Sequence, residues 1–184
     1  MKVVLTVLTG AAVLSCVMAS EPVQLSLTPE VALYARSERI EGVALSVWGE
    51  NPQSAFALGF VNGSSGDSAG LSVGLVNYAD DYTGFQWSFV NYAKGDCTGW
   101  QGGPFFGLLL SAVNYTEGEM TGLQCGLVNC AGSLTGLQVG FVNYAAAVNS
   151  GVQIGVVNVM PENEWFSNLP DELAPGMVFV NWHF

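Results

Sequence analysis

The sequence predicts an all-β repeat protein of about eight to ten short strands, arranged as an up-and-down barrel of outer-membrane type in preference to a parallel β-solenoid. Three observations lead there. An asparagine preceded by valine recurs at Asn62, Asn77, Asn91, Asn114, Asn129, Asn143, Asn158 and Asn181, in steps of 15, 14, 23, 15, 14, 15 and 23 residues. The residues leading into each asparagine alternate with period two, which is the patterning of a strand. Charge is confined to the connections between copies, such as Asp80-Asp81 and Glu117-Gly118-Glu119.

The chain opens on a segment unlike the rest. Residues 1–19 hold Lys2, an apolar run from Val3, and the small residues Val17 and Ala19, the pattern of a secretory signal cut after Ala19. The run is too short to span a bilayer. Lipoprotein processing at Cys16 is the alternative. The protein is therefore expected to be exported, to the outer membrane or surface of a two-membrane bacterium, or else to a periplasmic or secreted state.

The remainder reads as one domain, in which residues 20–54 supply strands that lead into a repeat region at 55–184. Half of the 184 residues are apolar, a tenth are charged and 23 are glycine. Only four residues of the whole chain are lysine or arginine, against fifteen acids. That balance offers no basic patch to a nucleic acid, so none is expected as a partner. Outer-membrane or envelope components are expected instead. Of the four cysteines, a cut after Ala19 removes Cys16 and leaves Cys97, Cys125 and Cys130, an odd set that defines no disulfide framework.

Two strands, 23–27 and 42–49, precede the repeats. Within the repeats, counting back from asparagine in twos gives an apolar face led by Phe60, Leu75, Phe89, Leu127, Phe141 and Val156. The opposite face carries Gln86, Gln124, Gln138 and Gln153, then Gly74, Gly126, Gly140 and Gly155, and ends in Tyr78, Tyr92, Tyr115 or Tyr144. In a barrel the apolar face meets lipid, and the long connections, which fall on alternate turns, share one end. The last strand, closing on Phe184, has the form of an outer-membrane assembly signal. Against this, Trp182 and Phe184 fall on the glutamine face, and a barrel needs a bulge to exchange them. In a solenoid, each unit of 14 or 15 residues is one coil, with Asn143 stacked between Asn129 and Asn158. The apolar ladder then points inward, the asparagines take corners and the glutamines stack outside.

The copies at 122–129, 136–143 and 151–158, with the closing "FVNWHF", resemble the surface-repeat proteins of spirochaetes and other two-membrane bacteria. The likeness covers about residues 55–184 and departs at Ser72 and Leu109, in place of glutamine, and at Ser88 and Ser111, in place of glycine. It implies an envelope location alone, since no activity comes with the resemblance. The spacing of Gln138, Gly140, Asn143 and Ala145 is also similar to the repeat of curli subunits, which implies stacked strands.

No catalytic set is legible. His183 stands alone near the end of the chain, the turn acids read as solvated connections, and the glycines of 99–107 lack the lysine of a phosphate loop. The acceptor-like "NGS" at Asn62 and "NYT" at Asn114 are explained by the repeat. No cofactor and no metal are expected, and Cys125 and Cys130 are placed on opposite strand faces. The candidate interaction loop is 161–175, with Glu162, Glu164, Asp171 and Glu172 beside Trp165 and Phe166; a lid over the end of the fold is the alternative. The function expected is a non-enzymatic structural or surface-interaction role. A soluble or surface-attached solenoid that assembles or binds is the second reading, and an enzyme built on the long loops the third.

Overall fold

A computed structural model describes residues 20–103 and 111–184. The signal segment and Leu109 lie outside the described residues. The described chain is nine strands: β1 (Ser20–Thr28), β2 (Val31–Ala32), β3 (Arg39–Asn51), β4 (Ser54–Val73), β5 (Val76–Trp87), β6 (Val90–Ala93), β7 (Cys97–Gly102), β8 (Ser111–Val159) and β9 (Gly176–His183). They wind as a parallel β-solenoid, which overturns the barrel. β1 pairs in parallel with β3, β3 with β4, β4 with β5, β5 with β6 and β7, and those two with β8. A barrel would alternate strand direction, whereas here Asn62, Asn77, Asn91 and Asn114 sit side by side in register. Strands 23–27 and 42–49 fall within β1 and β3 and begin the same stack.

The faces are also reversed from those expected of a solenoid. Asparagine and glutamine are inside, while Phe60, Leu75, Phe89, Phe141 and Val156 are exposed. The reason is a corner. In the coil from Gly136, Gln138 points inward, Phe141 and Val142 are both exposed, and Asn143 and Ala145 are buried. Two successive outward residues shift the alternation by one, so the stretch, though strand throughout, turns a corner between Gly140 and Asn143. Parity counted back through that bend assigns Phe141 to the wrong side. The tyrosines are likewise outside: Tyr92 and Tyr115 stack with ring centres 5.8 Å apart and planes 5° from parallel.

The interior explains why small residues and amides recur. A coil of 14 or 15 residues encloses room for glutamine, glycine, asparagine, alanine and one medium apolar side chain. That last group forms a buried row of Tyr82, Cys97, Met120, Leu134 and Val148 beside Ala79, Ala93, Ala131 and Ala145. Gly140 faces inward under an amide: a Cβ there would lie 2.1 Å from the Gly126 carbonyl oxygen and 2.6 Å from Asn129 Nδ2. Gly155 is held by an equally close approach to the Gly140 carbonyl at 2.1 Å, and Gly74 and Gly126 by nearest atoms at 2.7 Å. Where a coil departs from the pattern it compensates. Ser72 stands where glutamine is expected, and the Tyr82 hydroxyl, one coil on, reaches it at 3.0 Å. Ser88 and Ser111, at glycine positions, are fully buried, and Ser88 donates to Asn91 at 2.7 Å.

A reversed strand lies at each end of the described stack, a two-residue one at the first coil and an eight-residue one at the last. β2 lies antiparallel on β1, and β9 antiparallel on β8. Asn181 is consequently no eighth rung of the stack, because its partner is Gln153 and its amide donates to the Ala174 carbonyl at 2.8 Å. Trp182 faces the closing loop, where its indole donates to the Pro170 carbonyl at 2.9 Å.

Candidate functional site: the amide ladders and the C-terminal loop

Seven asparagines make one continuous ladder. Nδ2 of Asn62 donates to Oδ1 of Asn77 at 3.0 Å, and the same bond repeats from Asn77 to Asn91 at 3.1 Å and from Asn91 to Asn114 at 2.9 Å. It continues at 2.8 Å through Asn129 and Asn143 to Asn158. The 23-residue step between Asn91 and Asn114 leaves it unbroken. Most rungs also donate to a main-chain carbonyl at the corner, as Asn143 does to Ile154 at 3.0 Å. Parallel strands set identical residues about 4.8 Å apart, the spacing at which one primary amide both gives and receives. A buried amide would otherwise destabilise the fold.

Five glutamines form a second ladder, in the opposite sense. Nε2 of Gln101 donates to Gln86 at 2.9 Å, Gln124 to Gln101 at 2.9 Å, Gln138 to Gln124 at 2.7 Å and Gln153 to Gln138 at 2.8 Å. Asparagine donates towards the C-terminal end and glutamine towards the N-terminal end. The ladder's termini show it: Gln86 Nε2 and Gln153 Oε1, at the two ends, are left without partners. The sequence-predicted asparagines other than Asn181, together with the four glycines, thus belong to one structural core.

The turn acids also hold coils together. The Asp81 carboxylate accepts the main-chain N–H of Asp96 at 2.7 Å, and Asp96 accepts that of Glu119 at 2.7 Å. Glu119 in turn accepts from Thr135 at 2.7 Å and Asn149 at 3.0 Å. Sequence reading missed this role. Its signal was the recurrence of acids at one point of the repeat, since a turn stacked on its neighbour presents unpaired N–H groups to a carboxylate.

Cysteine chemistry is subdued. Cys97 is fully buried in the apolar row, and desolvation pushes its thiol up to about 12. Cys125 and Cys130 are half-buried, free, and likewise raised by burial. Among the described residues, no group of three or more histidine, cysteine or acidic side chains is placed to hold a metal ion.

The C-terminal loop divides in two. Met160, Asn163, Glu172, Leu173 and Ala174 are buried and plug the end of the last coil. Glu162, Glu164, Trp165, Phe166 and Asp171 are exposed. Glu172 is therefore a brace and no part of an open surface. Its Oε1 accepts the N–H of Glu164 at 3.1 Å and Nδ2 of Asn168 at 2.8 Å, and its Oε2 lies 3.2 Å from His183 Nδ1. The Glu164 N–H, then Asn168, then the His183 ring hold the Glu172 carboxyl below the ordinary range. A depressed carboxyl contributes stability that is present above its unfolded value and lost as pH falls through its folded one. The loop is expected to loosen below about pH 4, the ordinary glutamate range. Fluorescence of Trp165 and Trp182 should report the change, which Glu172→Gln should abolish. No family model, curated protein or solved structure matches the chain.

Proposed function

We propose that this protein is a non-enzymatic structural module of a bacterial envelope: an exported β-solenoid, attached to or displayed at the cell surface, that works through its outer faces. The observation that carries this reading is the pair of amide ladders. Apart from Gln86 Nε2 and Gln153 Oε1 at the ends of the glutamine row, the amides of the two ladders are committed to their neighbours along the stack, so the interior serves cohesion, and what the chain offers to other molecules is its exterior. The exposed part of the C-terminal loop, with Trp165 and Phe166 at a ring separation of 5.9 Å beside Glu162, Glu164 and Asp171, is one such surface. Exposed aromatics among acids suit contact with a protein partner better than with nucleic acid.

The test is location. Intact host cells are treated with a protease that does not enter them, and the remaining protein is followed in envelope and cytosolic fractions. Loss from the envelope fraction of shaved cells is expected. Recovery of intact protein in the cytosol, untouched by the protease, would rule the reading out.

A further inference from the structure

We propose that the apolar outer face of the solenoid is an interface on which a second copy of this chain docks, face to face. The proposal rests on the reading of the protein as a structural module that works through its outer faces. The face is the outer side of the strands that carry the glutamine ladder. One column of it runs Val43, Phe56, Leu71, Phe85, Trp100 and Leu123, held in line by the parallel register. Beside it runs a second column with Leu45, Leu58, Val139 and Ile154. Phe60, Leu75, Phe89, Phe141 and Val156 make the third, along the corner. None of these positions carries a charge. Near the last coil Phe179 adds to the same face, 75% exposed and in the left-handed backbone region at φ 69°. A bulky residue rarely adopts that conformation.

Size argues that something covers this face. Roughly ten strands at about 4.8 Å, crossed by three columns about 6.7 Å apart, make a sheet of about 45 by 20 Å, or roughly 900 Å². The largest apolar patch on an ordinary monomer is about 300–600 Å². Two such faces together bury roughly 1,800 Å², within the range of specific protein interfaces.

Charge selects the second copy over a bilayer. Surface-bound proteins ring their apolar face with lysine and arginine. Here Arg36 is tied to Glu50, and Arg39 lies 3.6 Å from Glu41 and donates to the Asp67 carbonyl at 3.1 Å. Lys94 alone among the described basic residues has no acid partner. With four basic residues in the chain against fifteen acids, nothing draws the face to an anionic headgroup layer. A second copy presents an equally charge-free face, and two sheets pack about 10 Å apart with their side chains interleaved.

The experiment measures the mass of the full exported chain by sedimentation in lipid-free buffer, with a Leu58→Glu/Ile154→Glu variant and Tyr144→Glu, which lies on another outer face, as control. Twice the chain mass is expected for the native protein and for Tyr144→Glu. The double variant should fall to half of that with its β-sheet circular dichroism unchanged. Hydroxyl-radical labelling of the native protein needs no variant. Phe60, Phe85 and Phe141 should label severalfold more slowly in the pair than after dilution to single chains, and Tyr144 at the same rate in both. A native protein of single-chain mass overturns the proposal, as does a folded double variant that stays paired or equal labelling of the phenylalanines in both states. A single chain that floats with phosphatidylcholine vesicles also overturns it, in favour of a lipid face. A single chain found at the cell surface would sink the pair and leave the proposed function standing.

Discussion

Replacing Asn129 by leucine is expected to lower the unfolding free energy by about 2–6 kcal/mol, from two fully buried polar groups orphaned at about 1–3 kcal/mol each. Leucine fills a similar volume, so the loss is polar in origin. Asn129 receives the amide of Asn114 and gives its own to Asn143 at 2.8 Å and to the Val139 carbonyl at 3.0 Å. Its removal strands the Asn114 donor and the Asn143 acceptor at positions with no access to water, since Asn114, Asn129 and Asn143 are fully buried, and frees the half-buried Val139 carbonyl as well. Domains of this size hold together by about 5–15 kcal/mol in all, so the variant approaches the limit of folding. Denaturant titration measures the effect. Asn149→Leu is the comparison, because that exposed amide bonds only Glu119 and Thr135 and should cost no more than about 0.5 kcal/mol. Equal losses in the two variants would mean that the ladder contributes nothing special.

Gly140→Ala should be the second large effect. The added methyl group meets a main-chain oxygen at 2.1 Å, and that oxygen belongs to the coil below, so relief requires coils to part. Parting them stretches both ladders and the strand pairing at once. About 3 kcal/mol or more of destabilisation is expected, at the upper end for overpacked cores. Gly176→Ala is the control: its nearest atom would be the Asn158 carbonyl oxygen at 4.0 Å, and the substitution should be neutral or slightly stabilising. A thermal melt of the two variants side by side suffices, and a Gly140→Ala protein as stable as Gly176→Ala would contradict the close approach.

These two residues also mark how far the sequence could be read. The period, the in-register asparagines, the recurring glycines and the charge-free strands were all visible in the order of residues, and together they imply strands stacked at one pitch. Direction was visible too: every copy reads the same way, as parallel coils require and an up-and-down chain does not. The alternating loop lengths and the aromatic terminus obscured it. The loop between Asn158 and Asn181 proves to plug the last coil, and the aromatic terminus belongs to a strand that reverses on it. Harder to see was the corner at Phe141–Val142. Two apolar residues in succession look like the middle of a strand, and only the three-residue step from Gly140 to Asn143, against the two-residue step from Gln138 to Gly140, betrays the change of side. The burial of amides in preference to phenylalanine is equally hidden from a hydrophobicity count. It follows from stacking, because an asparagine beside its own copy is satisfied and an isolated one is not. In the C-terminal loop, the acids looked equivalent in sequence. What separates Glu172 from Glu162 is the reversal of β9, which brings His183 back across the loop.

The opposed sense of the two ladders bears on how such a chain can lengthen. Every amide in a row adds its dipole to the last, and a single row would build a growing field along the axis with each added coil. Asparagines aimed one way and glutamines aimed the other largely cancel. An additional turn of 14 or 15 residues therefore brings its own hydrogen bonds without an accumulating electrostatic penalty, and stability rises roughly in proportion to the number of turns. Gene duplication of one unit can then extend the protein, with its length set by where the reversed strands at the two ends happen to stop the stack.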